Sequence, residues 1–416
     1  MEYSKMSLKD FESSSNLSLM ERANFFKGYL DYLDKKGYLN YRLVNQTGCA
    51  PEITISDSST PKPYISYVSN DYLGFTQHPK VKSAAIAGIE KYGTGAGASP
   101  LIGGLYDFHQ EIEEKMALFF GRDKKSCILY NTGYAANSAT LQCLLSKEDL
   151  AILDMGVHTS VFEGCILTNT KTFLHNHLDS LERILKNSIN NYRTILVIID
   201  GVYSQDGDIA KVKEIYELTK KYNAFLMVDD AHGVGIKGKT GRGILQEYDL
   251  LDKVDFITGT YSKTFANIGG YVIAHPNIIQ YLKYNSKEQI FSATSSPSAL
   301  GIIKAIELID EEPQWQQQLL SNIEYFTRGL LNIGLDIGNT ESAIIPVKIG
   351  DAELTMQTGK ILLENGIYAN PIQYPAVSKK NARIRMSLTA THTKKQLDQT
   401  LNIFEYVNKK LHIAKN

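Results

Sequence analysis

The chain has 416 residues, enough to bury a substantial core and to suggest two or three domains rather than one. Apolar content of 43%, charged content of 21% and a formal charge of −1 are those of a soluble globular protein, with no global field to draw nucleic acid or an anionic membrane. Four cysteines without C-x-x-C spacing argue against a disulfide framework or zinc site, and no apolar run reaches the length of a membrane span or signal-peptide core, so the expected setting is cytoplasmic.

Residues 1–65 are polar and mixed, with a helical stretch around NFFKGYLDYLDKK and a Ser/Thr/Pro-rich link, ISDSSTPKP; they read as an arm packed on the body. From 66 to 296 short apolar runs alternate with amphipathic stretches. SCILYNTG, LAILDMG, TILVIIDG, AFLMVDD, VDFITGT and GGYVIAH are apolar on both faces, as buried strands are. HQEIEEKMALFFG, AANSATLQCLLS, LDSLERILKN and AKVKEIYELTKKY carry apolar residues at helical spacing. This alternation predicts an α/β domain with a mostly parallel central sheet covered by helices, and ligands bound beyond the carboxyl ends of its strands. Residues 297–416 change texture and predict a smaller α+β domain.

Residues 233–240, GVGIKGKT, satisfy the P-loop pattern G-x-x-x-x-G-K-[ST], and GVGIKG satisfies G-x-G-x-x-G. Either motif needs a strand running into the first glycine and a helix opening behind it, so that backbone N–H groups face the phosphates. Here Ala231 and His232 intervene after the strand, and Gly241-Arg242-Gly243 breaks the helix at its first turn. The stretch therefore reads as a glycine-rich connection at the rim of the sheet, not as a P-loop NTPase or dinucleotide site.

The informative residues stand at the strand ends: Asp229 and His232 after AFLMV, Thr260 and Lys263 after VDFITG, Ser204 after TILVIID, Gly133 and Tyr134 at a helix start, and His158 after LAILDMG. An acid, two histidines, a lysine and a glycine-led helix start on one rim suit pyridoxal phosphate. The lysine can form a Schiff base, a carboxylate can keep the pyridine nitrogen protonated, an imidazole can stack on the ring, and a helix start can hold the phosphate. His175 and His177 have metal-like spacing in FLHNHLD but no third ligand nearby, and read as surface residues; no metal site is expected.

With these residues in view, the sequence resembles the α-oxoamine synthases, pyridoxal-phosphate enzymes of fold type I. The resemblance runs from about Ser69 to Thr393, through SNDYLGF, YGTGAGASPLIGG, TGYAAN, DMGVHTS, GVYSQDGD, VDDAHGVG, GTYSKTFANIGGY, FSATSSP and RIRMSLTATHT. It implies that Lys263 forms the Schiff base and moves the α-proton, that Asp229 pairs with the pyridine nitrogen, and that His158 stacks on the ring. Ser204 and His232 would bond near the phenolic oxygen. Gly133, Tyr134 and Thr260 would hold the phosphate together with Ser292 of the partner subunit, and Asn70 and Arg385 would grip the substrate carboxylate, the arginine through a bidentate fork. It further implies a homodimer and a decarboxylative condensation of an amino acid with an acyl thioester, carried by coenzyme A or acyl carrier protein. Two departures bear on the substrate: Pro100 stands where the family commonly has arginine, and VHTS replaces the more usual NHAS around His158. The carboxy-terminal segments GNTESAIIPVKIG and YANPIQYPAV most resemble the bacterial serine palmitoyltransferase branch, which points to serine or a similar polar amino acid; the alternative branch is 8-amino-7-oxononanoate synthase, which takes alanine and a pimeloyl thioester.

Overall fold

The computed structural model describes residues 3, 6–12, 16–56 and 62–414, so the predicted Ser/Thr/Pro-rich link falls largely outside the described residues. The chain forms two compact units, one of Asn70–Leu320 and one that combines Met1–Ser69 with Ser321–Asn416.

The larger unit is built on a seven-stranded sheet. Its order across the sheet is Cys127–Tyr130, Gly270–Ile273, Phe256–Thr260, Phe225–Asp229, Ile195–Asp200, Leu150–Asp154 and Asn169–Phe173. Gly270–Ile273 runs antiparallel to both neighbours, and the other pairings are parallel. The strands predicted from two-faced apolar runs are buried, all six residues of Ile195–Asp200 among them, with Phe225 at the start of Phe225–Asp229 the one exposed residue. Ile128, Leu153, Ile198, Met227 and Val272 pack with Leu141 and Val161 of the covering helices into one core, where truncation of a single leucine to alanine costs about 2–5 kcal/mol. Asn169–Phe173 was not among the predicted strands. It lies at the sheet edge with three of its five residues exposed, so its sequence, NTKTF, lacks the apolar signature of its neighbours.

The helices Thr159–Gly164, Leu178–Lys186 and Val212–Lys221 connect successive parallel strands, which leaves their carboxyl ends along one edge of the sheet. Asp154, Asp200, Asp229 and Thr260 are the last residues of four of these strands.

In the smaller unit, Ile344–Gly350, Ala382–Ser387 and Asn370–Ile372 form an antiparallel sheet. A second sheet joins Glu52–Thr54 and Pro63–Ser66 to Ile367–Tyr368, the last two pairing in parallel. The helix Leu19–Lys36, opened by a Ser18/Glu21 capping box, packs Tyr29 and Leu33 with Phe11, Tyr38 and Met356. The contacts thus divide the chain differently from the predicted 1–65, 66–296 and 297–416: Leu300–Glu311 groups with the larger unit because its buried isoleucine face packs on Pro79–Tyr92 and Asp107–Phe119. No helix among the described residues is long and apolar enough to cross a membrane.

Candidate active site

A cavity of about 220 Å³ opens at the carboxyl edge of the large sheet, and Gly133, Tyr134, His158, Asp229, His232, Thr260 and Lys263 all line it. Residues scattered over 130 positions meet there because each follows a parallel strand or opens the helix behind one.

Asp229 is buried and pre-oriented. Its Oδ1 accepts the backbone N–H of Ala231 at 3.0 Å, and its Oδ2 accepts from Asn137 Nδ2 at 2.6 Å. Asn137 is itself held: its Oδ1 accepts from Thr258 Oγ1 at 2.8 Å, and its Nδ2 also reaches Ser160 Oγ at 3.0 Å. Two ionised oxygens have about four acceptor positions, so the carboxylate keeps capacity for a donor in the cavity.

Lys263 Nζ donates to His232 Nε2 at 2.8 Å, and His232 Nδ1 lies 2.6 Å from the Tyr72 hydroxyl, which donates to Asn70 Oδ1 at 3.3 Å. With neutral imidazole, one hydrogen assignment satisfies the whole chain: proton on Nδ1, lone pair on Nε2 facing the ammonium. The lysine amine is thereby tethered at the cavity wall, and Asn70 is linked to it through two side chains.

At the other end of the cavity the helix Gly133–Leu144 begins, capped by Thr132, whose side chain accepts from Ala135 N at 3.0 Å. The first N–H groups of a helix have no acceptor within it, and here they meet the cavity wall beside the hydroxyls of Thr260 and Ser262, which lie 2.7 Å apart. A Cβ at Gly133 would come 2.7 Å from Thr260 Cβ, so only glycine lets the helix start approach the strand end this closely. Backbone donors, a helix dipole and hydroxyls suit a phosphate.

His158 Nδ1 is 2.8 Å from Ser160 Oγ, and Tyr134 meets the imidazole edge-on at 5.9 Å. Burial pulls His158 below the ordinary imidazole range, Lys263 adds to this, and the Asp229 carboxylate works against it. Asp200, the register partner of Asp229, is pushed well above the carboxylate range by burial and by the Asp229 charge. Both shifts work against a further charge beside the Asp229 carboxyl group.

Ser204, Ser292 and Arg385 are not among the residues that line this cavity. Ser204 sits half-buried in the turn after Ile195–Asp200. Ser292 ends the helix Lys287–Phe291 and accepts from Asn131 Nδ2 at 3.1 Å. Arg385 belongs to the smaller unit, buried in the strand Ala382–Ser387, with Nη1 donating to Ser387 Oγ at 3.1 Å. The lining or supporting residues that carry no role in the sequence reading include Tyr72, Asn137 and Asp200. Asn137 stands four positions beyond Gly133, one helical turn, so helix periodicity extended from the glycine would have found it. Tyr72 is 160 positions from His232, and its pairing has no local signal.

The glycine loop is no phosphate site. Lys239 is exposed, and the next helix, Ile244–Glu247, has four residues. The loop instead wraps the fully buried Asp230, whose Oδ2 accepts from Ile244 N at 2.7 Å; a Cβ at Gly233 or Gly243 would run into its carboxyl oxygens. His175 and His177 are both exposed, as read from sequence; His175 bridges two carboxylates, and His177 caps the helix Leu178–Lys186. Among the described residues no group of three or more His, Cys, Asp or Glu could hold a metal ion.

A flat cofactor with an aldehyde, a protonatable ring nitrogen and a phosphate matches this donor set: a tethered amine, a buried carboxylate with spare acceptor capacity, and a helix start with hydroxyls. Comparison with known proteins agrees. The family model for aminotransferase class I and II matches residues 62–404. The 8-amino-7-oxononanoate synthase of Alkaliphilus metalliredigens is 40% identical over 355 residues, 85% of this chain and 89% of that protein. The serine palmitoyltransferase of Bacteriovorax stolpii is 34% identical over 398 residues, 95% of this chain and 92% of that protein. The solved structure of Sphingomonas wittichii serine palmitoyltransferase superposes with a TM-score of 0.90 at 28% identity, covering 96% of this chain and all of that one. The chain belongs to the aminotransferase class I and II family and, within it, to the pyridoxal-phosphate-dependent α-oxoamine synthases, fold type I acyltransferases that join an amino acid to an acyl thioester.

Proposed function

We propose that this chain condenses a polar amino acid, serine or a close analogue, with a long-chain acyl thioester. A carbon–carbon bond forms between the α carbon and the acyl carbonyl, the thiol leaves, the amino acid's carboxyl departs as CO2, and an α-oxoamine is released. The observation that carries this choice is the superposition on serine palmitoyltransferase with a TM-score of 0.90 over 96% of this chain. The second reading, alanine with a pimeloyl thioester as in 8-amino-7-oxononanoate synthase, is favoured by the higher sequence identity on that side.

Pyridoxal phosphate, when bound, supplies an aldehyde that condenses with an amine and a ring that accepts the electron pair of a bond broken at the α carbon. The Asp229 carboxylate, held by Asn137 and Ala231 N, would offer its remaining acceptor capacity to the ring nitrogen, where it would favour the protonated form. The helix start at Gly133, with Tyr134 and Thr260, takes the phosphate, and Ser292 of each protomer completes the neighbouring protomer's phosphate site in a homodimer. His158 would stack on the ring. Lys263 Nζ removes and returns the α-proton, and His232 Nε2, 2.8 Å away, holds that amine in place. Ser204 and His232 bond near the phenolic oxygen. Asn70 and Arg385 bind the substrate carboxylate, and a cytoplasmic setting suits the thioester carrier.

The test measures CO2 release from serine, cysteate, alanine and glycine, each with short and long acyl thioesters. Serine or cysteate with a long thioester is expected to react. Alanine and pimeloyl thioester alone reacting would establish the second reading. The holoenzyme is expected to be yellow and to lose its visible band on borohydride reduction, and Lys263→Ala to lower turnover by several orders of magnitude, as loss of a covalent catalytic group does.

A further inference from the structure

Outside the cavity lining, the structure holds a second group of ionisable side chains. His175, just past the edge strand Asn169–Phe173, has Nδ1 2.8 Å from Asp154 Oδ1 and Nε2 2.8 Å from Asp208 Oδ2. Ionised carboxylates only accept, so both ring nitrogens donate, and an imidazole donating from both nitrogens is a cation. Burial opposes that charge, but hydrogen bonds and attraction to Asp154 and Asp208 outweigh it and push the ring's pKa up to about 10.

The surroundings are closely fitted. Asp154, fully buried, also accepts Gly156 N at 2.7 Å and Asn176 N at 2.9 Å. Asn176 takes the left-handed conformation (φ 53°); its Nδ2 donates to Ile209 O at 3.0 Å and its Oδ1 accepts Lys211 N at 3.1 Å. The Tyr203 ring stands edge-on to the imidazole at 4.3 Å. A Cβ at Gly156 would lie 2.9 Å from Tyr203 Cδ1 and 3.0 Å from His175 Nδ1, so the chain passes this cluster with room for glycine alone.

The two carboxylates belong to different loops, and each loop carries a residue assigned above to the cofactor. Asp154 ends the strand that leads into His158, and Asp208 closes the turn that holds Ser204, where Tyr203 N donates to Asp208 O at 3.0 Å. We propose that His175 is a positioning residue that, bridged between Asp154 and Asp208, fixes the His158 loop against the Ser204 loop and thereby sets both side chains toward the cofactor. This rests on the proposed function, since it presumes that His158 and Ser204 face pyridoxal phosphate. The histidine pair that the sequence offered as a metal-like motif thus divides its work: His175 joins two loops, and His177 caps a helix.

The experiment uses the full chain with pyridoxal phosphate and the variants His175→Gln and Asp208→Asn, read by cofactor dissociation constant, visible-region circular dichroism and melting temperature. Both variants are expected to weaken cofactor binding by about tenfold, the size of a contact-network coupling near 1.4 kcal/mol, and to change the visible dichroic band. In a double variant the second substitution adds little to the first. Variants that melt lower but keep the wild-type dissociation constant and dichroic band would overturn the proposal and leave a purely structural cluster. Should His175→Gln not fold, Asp208→Asn decides alone, because it removes the charge from one arm of the bridge at a partly exposed position. Failure of the functional reading is separate: the wild-type chain itself would then take up no pyridoxal phosphate.

Discussion

Asn137 shows how much of the site depends on a residue that touches no reacting atom. It donates to Asp229 Oδ2 and accepts from the Thr258 hydroxyl, both residues buried, so its loss takes a partner from each of these atoms. Each buried unsatisfied group costs about 1–3 kcal/mol. Asn137→Ala is therefore expected to lower the melting temperature and to weaken pyridoxal phosphate binding together, because Asp229 loses one of the two donors that orient it. Asn137→Asp should be worse, since it sets a second carboxyl against Asp229. An alanine variant with wild-type stability and cofactor affinity would contradict this view of the Asp229 environment. His175 contributes stability of the opposite pH sense to a carboxylate. Its folded pKa of about 10 stands above the ordinary 6.5, so its contribution is complete below 6.5 and is lost as pH rises through about 10, with Asp154, Asp208 and Tyr203 the ionisable groups facing it. Alkaline melting curves of wild type and His175→Gln should converge near pH 10.

At the scale of the element, the loop 233–243 explains a motif by a different cause. Asp230 is fully buried, with its acidity suppressed by burial, and the glycines of this loop let backbone close over its carboxyl group. Gly243 has φ +84° and its missing Cβ would meet the Asp230 carboxylate, so Gly243→Ala carries a positive-φ backbone cost of about 1–3 kcal/mol plus a clash. Lys239→Ala, by contrast, is expected to change stability by no more than about 0.5 kcal/mol and to leave turnover unaltered, since that side chain is exposed. Denaturant titrations of the two variants check both expectations; a large loss of activity in Lys239→Ala would restore the phosphate reading of the loop.

On the scale of the whole molecule, the smaller unit is drawn from both ends of the chain, and one histidine ties them. His392 is buried, stacks on Tyr67 at 4.7 Å, bonds Ser66 O at 3.1 Å and accepts Thr389 N at 3.0 Å. Burial holds its pKa down to about 4. The unfolded chain binds this proton below 6.5 and the folded chain does not until about 4, so stability falls as pH drops between those values, by roughly 3 kcal/mol at the lower end. Melting temperatures at pH 7 and 4.5 should therefore separate more in wild type than in His392→Gln, and equal slopes would refute the assignment. The same discontinuity was hidden in the sequence: Ile65 pairs with Ile367 across 302 positions, and strand pairing leaves no periodic mark in either segment.

The sequence by itself determined the large unit's architecture and most of its cavity. Strands buried on both faces must be apolar throughout, and parallel connections put the residues following each of them on a common edge. Lys263, Asp229, His158 and Thr260 were therefore readable in order along the chain. Tertiary structure alone decided the supporting contacts of that set, Tyr72 on His232, Asn137 on Asp229 and His175 between two loops, because each joins residues far apart in the chain whose pairing costs no local pattern. It likewise decided the edge strand Asn169–Phe173, polar because one side has no neighbour, and the composition of the smaller unit, where burial between distant segments outweighs nearness in sequence.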